Sequence, residues 1–556
     1  MTSRLAIYHP AGRVGLGENV FGKDIANFEL FQAMVRHGGL DQVDFLTHAA
    51  IKAEDLAHSL VGDTAPGTRV TTASIMAQGV AAEAGAVLRG GPRLEDLAWQ
   101  RRRTVGDRAY SLMGLIHTIA PPAMRQEIAM TAVAPTQAWD ALICTSPSVQ
   151  SAMMAMFDEW TAYLADRFGG QIQPRPQLPL IPLGVNGASL EAAADRPEVR
   201  AETRERLSIG PDDILILWVG RLSFFEKAFP QAMMRAAEEA AQATGKRVHF
   251  AMVGWFPNGA DGERMYRQAV EAHAPSIAFH IINGNDRERL TTLWAAADIF
   301  ISLVDNIQET FGITPLEAMA SGLPVVVSDW DGYRYTVRDG EEGFLIPTLG
   351  GPQEIMTGDL VGEHMFGLKS YQQYVGIVAQ HTAVHIGRAA QALTRLIQSP
   401  ELRQRMGAAG RRRIRETFDW TVVAPQYVAL AAELGAIRKA SQEVEALSRR
   451  HPFKGDPFRD FASFATSVMT LETRLSLRAG KGSQDLGQHQ TVELDMFASN
   501  WRCSIEECQT MLDHLAKVGE ATPRELMLTF PQDRRRHVHL GLAWMAKLGL
   551  IDWRNA

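Results

Sequence analysis

Cysteine is nearly absent. Three thiols in 556 residues, Cys144, Cys503 and Cys508, exclude a disulfide framework. Cys503 and Cys508 lack the partners that a zinc site needs, so all three are expected to be buried thiols in a reducing compartment. Long apolar runs are missing too: no stretch approaches the roughly 18 consecutive apolar residues of a spanning helix. The opening MTSRLAIYHP has no charged stretch leading into a long apolar core, so no signal peptide and a cytoplasmic location are expected. Positive charge is short, with 56 Lys and Arg against 63 Asp and Glu and a net charge of −7. That balance gives no global pull toward nucleic acid or an anionic membrane surface. No internal repeat or low-complexity tract appears. What remains is 46% hydrophobic and 21% charged, with 47 Gly and 26 Pro, the composition of a globular protein. At roughly 150 residues per domain, three to four domains are expected.

Two stretches alternate short apolar runs with helical periodicity, which predicts parallel α/β layers. The first opens with a strand over 5–8 and a glycine-spaced loop at Gly12, Gly15, Gly17 and Gly22. A helix follows with Ile25, Phe28, Phe31 and Val35 on one face, then strands over 43–46, 112–116 and 141–144. The Pro-rich QPRPQLPLIPLG marks its end, near residue 185. The second stretch predicts six buried strands, over 214–219, 248–253, 278–282, 299–303, 325–327 and 344–346. A helix over 231–244 closes at Gly245. The expected organisation is two Rossmann-like domains over 1–185 and 186–436, a helical linker over 437–490 and a small, mainly helical module over 491–556.

The most informative segment is DNIQETFGITPLEAMASGLPVVVSDWDG, 305–332. A strand ends in a polar loop, and a short helix is expected with Thr314 as cap, Pro315 at the first position and Glu317 three residues after the cap. The loop amides of Thr310, Phe311, Gly312 and Ile313 then lie at a helix N-terminus beyond a strand carboxyl end, where α/β sheets bind anionic ligands. Read blandly, Glu317 completes a capping box and Glu309 is a solvated loop acid. A second strand, ILILWVG, runs into Arg221 and then Lys227. His117 follows the run before HTIAPP, at another strand end. Gly15 and Gly17, between a strand and a helix, allow backbone amides to approach a phosphate, or form a tight turn.

Two glutamates eight apart in E-T-F-G-I-T-P-L-E-A-M-A-S-G-L-P-V-V resemble the E-x7-E motif of retaining GT-B glycosyltransferases. The resemblance is to glycosyltransferase family 4, the glycosyl transferases group 1 family, which includes sucrose-phosphate synthases and bacterial mannosyl- and glucosyltransferases. It covers roughly 1–435 and is densest over 214–347. It implies a GT-B fold, with the first domain facing the acceptor and the second holding a UDP-, GDP- or ADP-hexose. It further implies that Glu317 binds the ribose hydroxyls and that Glu309 faces the donor sugar. The Phe311–Ile313 amides would hold diphosphate or sugar hydroxyls. Family members carry G-R-L-x-x-x-K where this chain has Arg221 and Lys227, one residue further apart, and the two cations would neutralise the leaving diphosphate. Gly15 and Gly17 would lie over the diphosphate, and His117 would contact the donor sugar. No D-x-D metal motif stands at an equivalent position, so neither metal nor cofactor is expected. The resemblance fails at Asp331, Gly332 and Tyr333, where relatives have Gly-Gly then Glu, and at the longer 349–374 segment. Both departures leave the hydroxyl acceptor open. Two other readings are a nucleotide-sugar epimerase on the same fold and a non-catalytic carbohydrate-binding or regulatory protein; intact Glu309, Glu317, Arg221 and Lys227 argue against decay.

The C-terminal segment resembles part of a winged helix, with a helix start at T-P-x-E-L, 522–526. Arg534, Arg535 and Arg536 are its candidates for DNA. Residues 501–556 nevertheless hold eight Lys and Arg against seven Asp and Glu, a net of +1, far from a nucleic-acid footprint. A protein partner is expected instead. The Arg runs at 101–103 and 411–413 are expected to be solvated helix faces.

Overall fold

The computed structural model describes residues 3–10, 22–62, 67–170, 175–442 and 448–554. The candidate glycines Gly15 and Gly17 lie outside the described residues. The chain divides into two compact units, Met1–Arg449 and Arg450–Ala556.

The larger unit contains two six-stranded sheets. The first comprises β1 (Arg4–Tyr8), β2 (Gln42–Thr47), β3 (Arg69–Ser74), β4 (Ala86–Arg89), β5 (Ser111–Leu115) and β6 (Ala141–Ile143), in the order β3-β2-β1-β4-β5-β6. The second comprises β7 (Ile214–Val219), β8 (Val248–Gly254), β9 (Ala278–Asn283), β10 (Ile299–Ser302), β11 (Val325–Ser328) and β12 (Gly343–Ile346), in the order β12-β11-β10-β7-β8-β9. Every pairing in both sheets is parallel. Strands buried on both faces need apolar residues at every position, and β7 shows this directly. Ile214, Ile216 and Trp218 enter one core, while Leu215 and Leu217 enter the other. Helix Gln231–Thr244 covers the first of these cores with Met233, Met234, Ala237 and Ala240 and ends at Gly245, in the left-handed conformation.

Strand order reverses between β1 and β4 in the first sheet and between β7 and β10 in the second. Beyond the strand carboxyl ends, these reversals open the crevices in which doubly wound sheets hold ligands. The two halves cross at Val185, whose amide donates to Phe418 O (2.9 Å) and whose carbonyl accepts from the Trp420 amide (3.1 Å). Helix Trp420–Ala440 then returns to the first half, where Arg438 donates to Gly85 O and Ser111 Oγ at 2.6 and 2.7 Å. This helix is long and apolar enough to cross a membrane; here Val423, Ala424, Tyr427, Leu430 and Leu434 are spent on the protein core.

One expectation needs correction at once. Arg101 is not on a solvated face: it is fully buried, bidentate to Asp140 at 2.7 Å through each nitrogen, and it also donates to Tyr110 O. A buried guanidinium requires such a carboxylate, and Asp140 lies too far along the chain to be read as its partner. Arg413 likewise donates to Tyr335 O and Thr336 O.

The smaller unit packs helices Ile505–Val518, Pro523–Leu528 and Arg535–Lys547 with an antiparallel sheet, β15 (Arg474–Leu477) lying between β16 (Glu520–Ala521) and β17 (Ile551–Arg554). Thr522 and Glu525 form a reciprocal capping box at the helix start read from the sequence. Strand β15 falls within the 437–490 segment expected as linker. Cys503 and Cys508 are free and buried, with sulfurs 3.2 Å apart.

Candidate functional site

Helix Ile313–Ala320 follows β10, and its start differs from expectation. The N-cap is Gly312, with φ 86°, and no side chain caps the helix. The box expected from Thr314 and Glu317 therefore does not form. The reason is local: a Cβ at residue 312 would collide with the Tyr333 ring. Only glycine brings the chain round this tightly, so the helix begins two residues earlier than expected, at Ile313. Thr314 instead hydrogen-bonds the Tyr333 hydroxyl, which also meets Ser302 Oγ at 2.9 Å. Glu317 lies half-buried one turn into the helix.

Glu309 and Lys227 come together from loops at the carboxyl ends of β10 and β7, the point of strand-order reversal. Lys227 Nζ donates to Glu309 Oε2 at 3.0 Å. Burial pushes the Glu309 carboxyl up, but the Lys227 ammonium and the amides of Phe311 and Thr310 outweigh it and hold the group below its ordinary range. Glu309 is thus an enclosed, fully ionised carboxylate. Arg221 is held in turn by Glu226 at 2.5 Å, both mostly buried. Glu226 was not singled out in the sequence; an acid five residues after an arginine carries no signal of its own. Asn306 braces the floor: its Nδ2 donates to Phe225 O at 2.5 Å, its Oδ1 accepts from the Gln308 amide, and its carbonyl accepts from Trp330 Nε1. The Phe311 side chain belongs to the core, and its amide faces Glu309.

The first half reaches this loop directly. Thr310 Oγ1 donates to His117 O at 2.6 Å, so His117 stands beside the glutamate loop. Its Nε2 meets Asn27 Oδ1 at 2.9 Å. Burial pulls the imidazole down to about 4, with a hydrogen bond to the Gly90 backbone working the other way, so His117 is neutral at pH 7. A second tie was not expected: Ser146 Oγ donates to Asp331 Oδ1 at 2.8 Å. The longer 349–374 segment is bracketed by the antiparallel pair β13 (Thr348–Leu349) and β14 (Ala383–Val384). It returns to the site at Tyr371, whose hydroxyl donates to Gln308 Oε1 at 2.8 Å.

Lys227 and Glu309 thus meet at the strand-order reversal, with Arg221 on the connection after β7, Glu317 on the helix after β10 and His117 beside the glutamate loop. The arrangement offers two cations, an ionised carboxylate, a half-buried glutamate and helix-terminal amides. Such a set suits an anionic ligand that must be gripped and partly neutralised.

A D-inositol 3-phosphate glycosyltransferase of Nocardia farcinica is 26% identical over 242 residues, covering 42% of this chain and 50% of the relative. A phosphatidyl-myo-inositol mannosyltransferase of Mycobacterium leprae is 36% identical over 118 residues, covering 21% of this chain and 22% of the relative. The chain spans about half the length, or less, of the curated relatives it matches. A solved glycosyltransferase of Rickettsia africae shares 12% identity, covers 78% of this chain and 98% of its own, and superposes with a TM-score of 0.51. The two-sheet architecture is the GT-B fold. The family model for glycosyl transferases group 1 matches residues 199–355, the span that holds Arg221, Lys227, Glu309 and Glu317.

Proposed function

We propose that this protein is a hexosyltransferase that moves a hexose from a UDP-, GDP- or ADP-hexose to a hydroxyl acceptor, with retention of configuration and without a metal ion. The observation that carries the reading is the 3.0 Å Lys227–Glu309 pair at the strand-order reversal of the second sheet. Lys227 and Arg221 receive the diphosphate, and their attraction grows as negative charge collects on the leaving oxygen, so they act most strongly in the transition state. Ionised Glu309 faces the sugar carbon that turns positive as its bond to phosphate breaks. The acceptor oxygen bonds to that carbon from the same face, and its proton passes to the departing phosphate oxygen. Glu317 accepts both ribose hydroxyls, since a carboxylate has acceptor sites for two donors. Neutral His117 positions the sugar and carries no proton through the reaction. The names of the curated relatives, both glycosyl-transferring enzymes acting on inositol-containing acceptors, support the reaction class. We read the smaller unit as a winged-helix-like module for a protein partner in the cytoplasm. Its helices Ile505–Val518, Pro523–Leu528 and Arg535–Lys547 packed with a small antiparallel sheet support that reading, as does Arg534, which is spent on Glu507 at 2.6 Å rather than offered to a phosphate.

Calorimetric titration with the donor nucleotide tests the site. Glu317→Ala should weaken binding about tenfold or more, because a charged hydrogen bond contributes about 1.5–3 kcal/mol. Unchanged affinity in the folded variant would remove Glu317 from the site.

A further inference from the structure

Ser146 caps helix Pro147–Phe168, and its oxygen accepts the Val149 amide at 3.1 Å. Its single hydroxyl proton is directed at Asp331 Oδ1, 185 residues away in the second half. Asp331 holds φ 39°, in the left-handed region that only Gly, Asn and Asp occupy readily. The next residue, Gly332, lies directly on the glutamate loop, since a Cβ there would overlap the Phe311 backbone. Asp331 therefore forms a turn that backs the Glu309 loop on one side and grips the first half on the other. The Thr310–His117 hydrogen bond ties the same loop a second time.

We propose that Asp331 is a positioning residue of the transfer site, fastening the first half through Ser146 to the turn behind Glu309 and taking up a proton when a nucleoside diphosphate enters. This rests on the nucleotide-sugar reading above. The charged groups that face Asp331 are Glu309, from the β10 loop, and Arg334, one turn on and itself paired with Asp329 at 2.9 Å; Ser146 faces it from the first half. Burial pushes its carboxyl up to about 7 and Glu309 adds to this, while Ser146 and Arg334 oppose it. Near pH 7.5 the group is therefore largely but not wholly ionised. A diphosphate brings further negative charge and raises its proton affinity. The proton comes from solvent and lands on Oδ2, because Oδ1 already accepts from Ser146. The ionised form adds repulsion beside Glu309, so donor affinity falls as pH rises above about 7.

The test is calorimetric titration of the full chain with UDP, or with GDP or ADP should UDP not bind. It is run at pH 7.5 in buffers of different ionisation enthalpy. Wild type should take up a substantial fraction of a proton, and that uptake should shrink at pH 6. Asp331→Asn, which keeps an acceptor for Ser146 and tolerates the turn, should bind within about threefold of wild type at pH 6 and take up no proton. Asp331→Gly, relaxed at this φ but without the tie, should bind about fivefold more weakly at pH 6, the scale of one lost neutral hydrogen bond. Uptake that persists in Asp331→Asn, wild-type binding without uptake, or full affinity in Asp331→Gly overturns the inference alone. Failure of all three nucleotides to bind wild type removes the donor reading and this inference with it.

Discussion

At the residue scale, the central feature is a carboxylate kept ionised inside protein. Burial raises the proton affinity of Glu309; Lys227 is the largest opposing influence. Removing Lys227 takes away the largest influence opposing burial, so the Glu309 proton affinity must rise. Lys227→Ala should therefore lower turnover about 100-fold, the scale of losing one charge that acts on the transition state. It should also move the acidic limb of the rate profile to higher pH, because Glu309 then protonates earlier on acidification. A pH–rate series with the intact donor checks both, and an acidic limb that stays in place would detach Glu309 from Lys227. Glu309, Lys227 and Arg221 were legible in the sequence because each follows a predicted strand at short range. Glu226, Asn27 and Ser146 were not, since their roles arise from contacts that no local pattern encodes. Asp331 was visible only as a departure from the resembling family.

At the scale of elements, all six strands of the second sheet were readable, because their apolar runs stand out even where His249 and His280 interrupt β8 and β9. Strands β3 and β4 were not. The first, RVTTAS, is a half-exposed edge strand rich in Thr, and the second, AVLR, has four residues squeezed between helices. The start of helix Ile313–Ala320 was misplaced because Thr-Pro-x-Glu satisfies a capping pattern, whereas the Tyr333 ring, from another element, demands the glycine turn. Gly312→Ala is a direct probe of that turn. The left-handed φ and the collision with Tyr333 should cost about 1–3 kcal/mol of stability, typical of backbone strain, and should displace the loop amides. Thermal unfolding and nucleotide titration together check this; a variant with wild-type stability and affinity would show that the turn is dispensable.

At the scale of the molecule, every site residue named from the second sheet precedes residue 350, while the smaller compact unit begins at Arg450. A cut at 480 would strand β15, which pairs with both β16 and β17, and would leave its backbone edges open. A cut after 449 respects the unit. The chain 1–449 should release nucleoside diphosphate from the donor within a few-fold of the intact protein, measured in a coupled assay. Loss of turnover in a still-folded truncation would place part of the chemistry in the smaller unit.

The most direct test of the whole account is release of nucleoside diphosphate by the intact chain from UDP-, GDP- and ADP-hexoses, in saturating EDTA, beside Glu309→Gln. The account predicts that at least one donor turns over, that EDTA leaves the rate unchanged, and that Glu309→Gln lowers it by about 100-fold or more. No turnover of any donor, or turnover that stops in EDTA and resumes with magnesium or manganese, would contradict it.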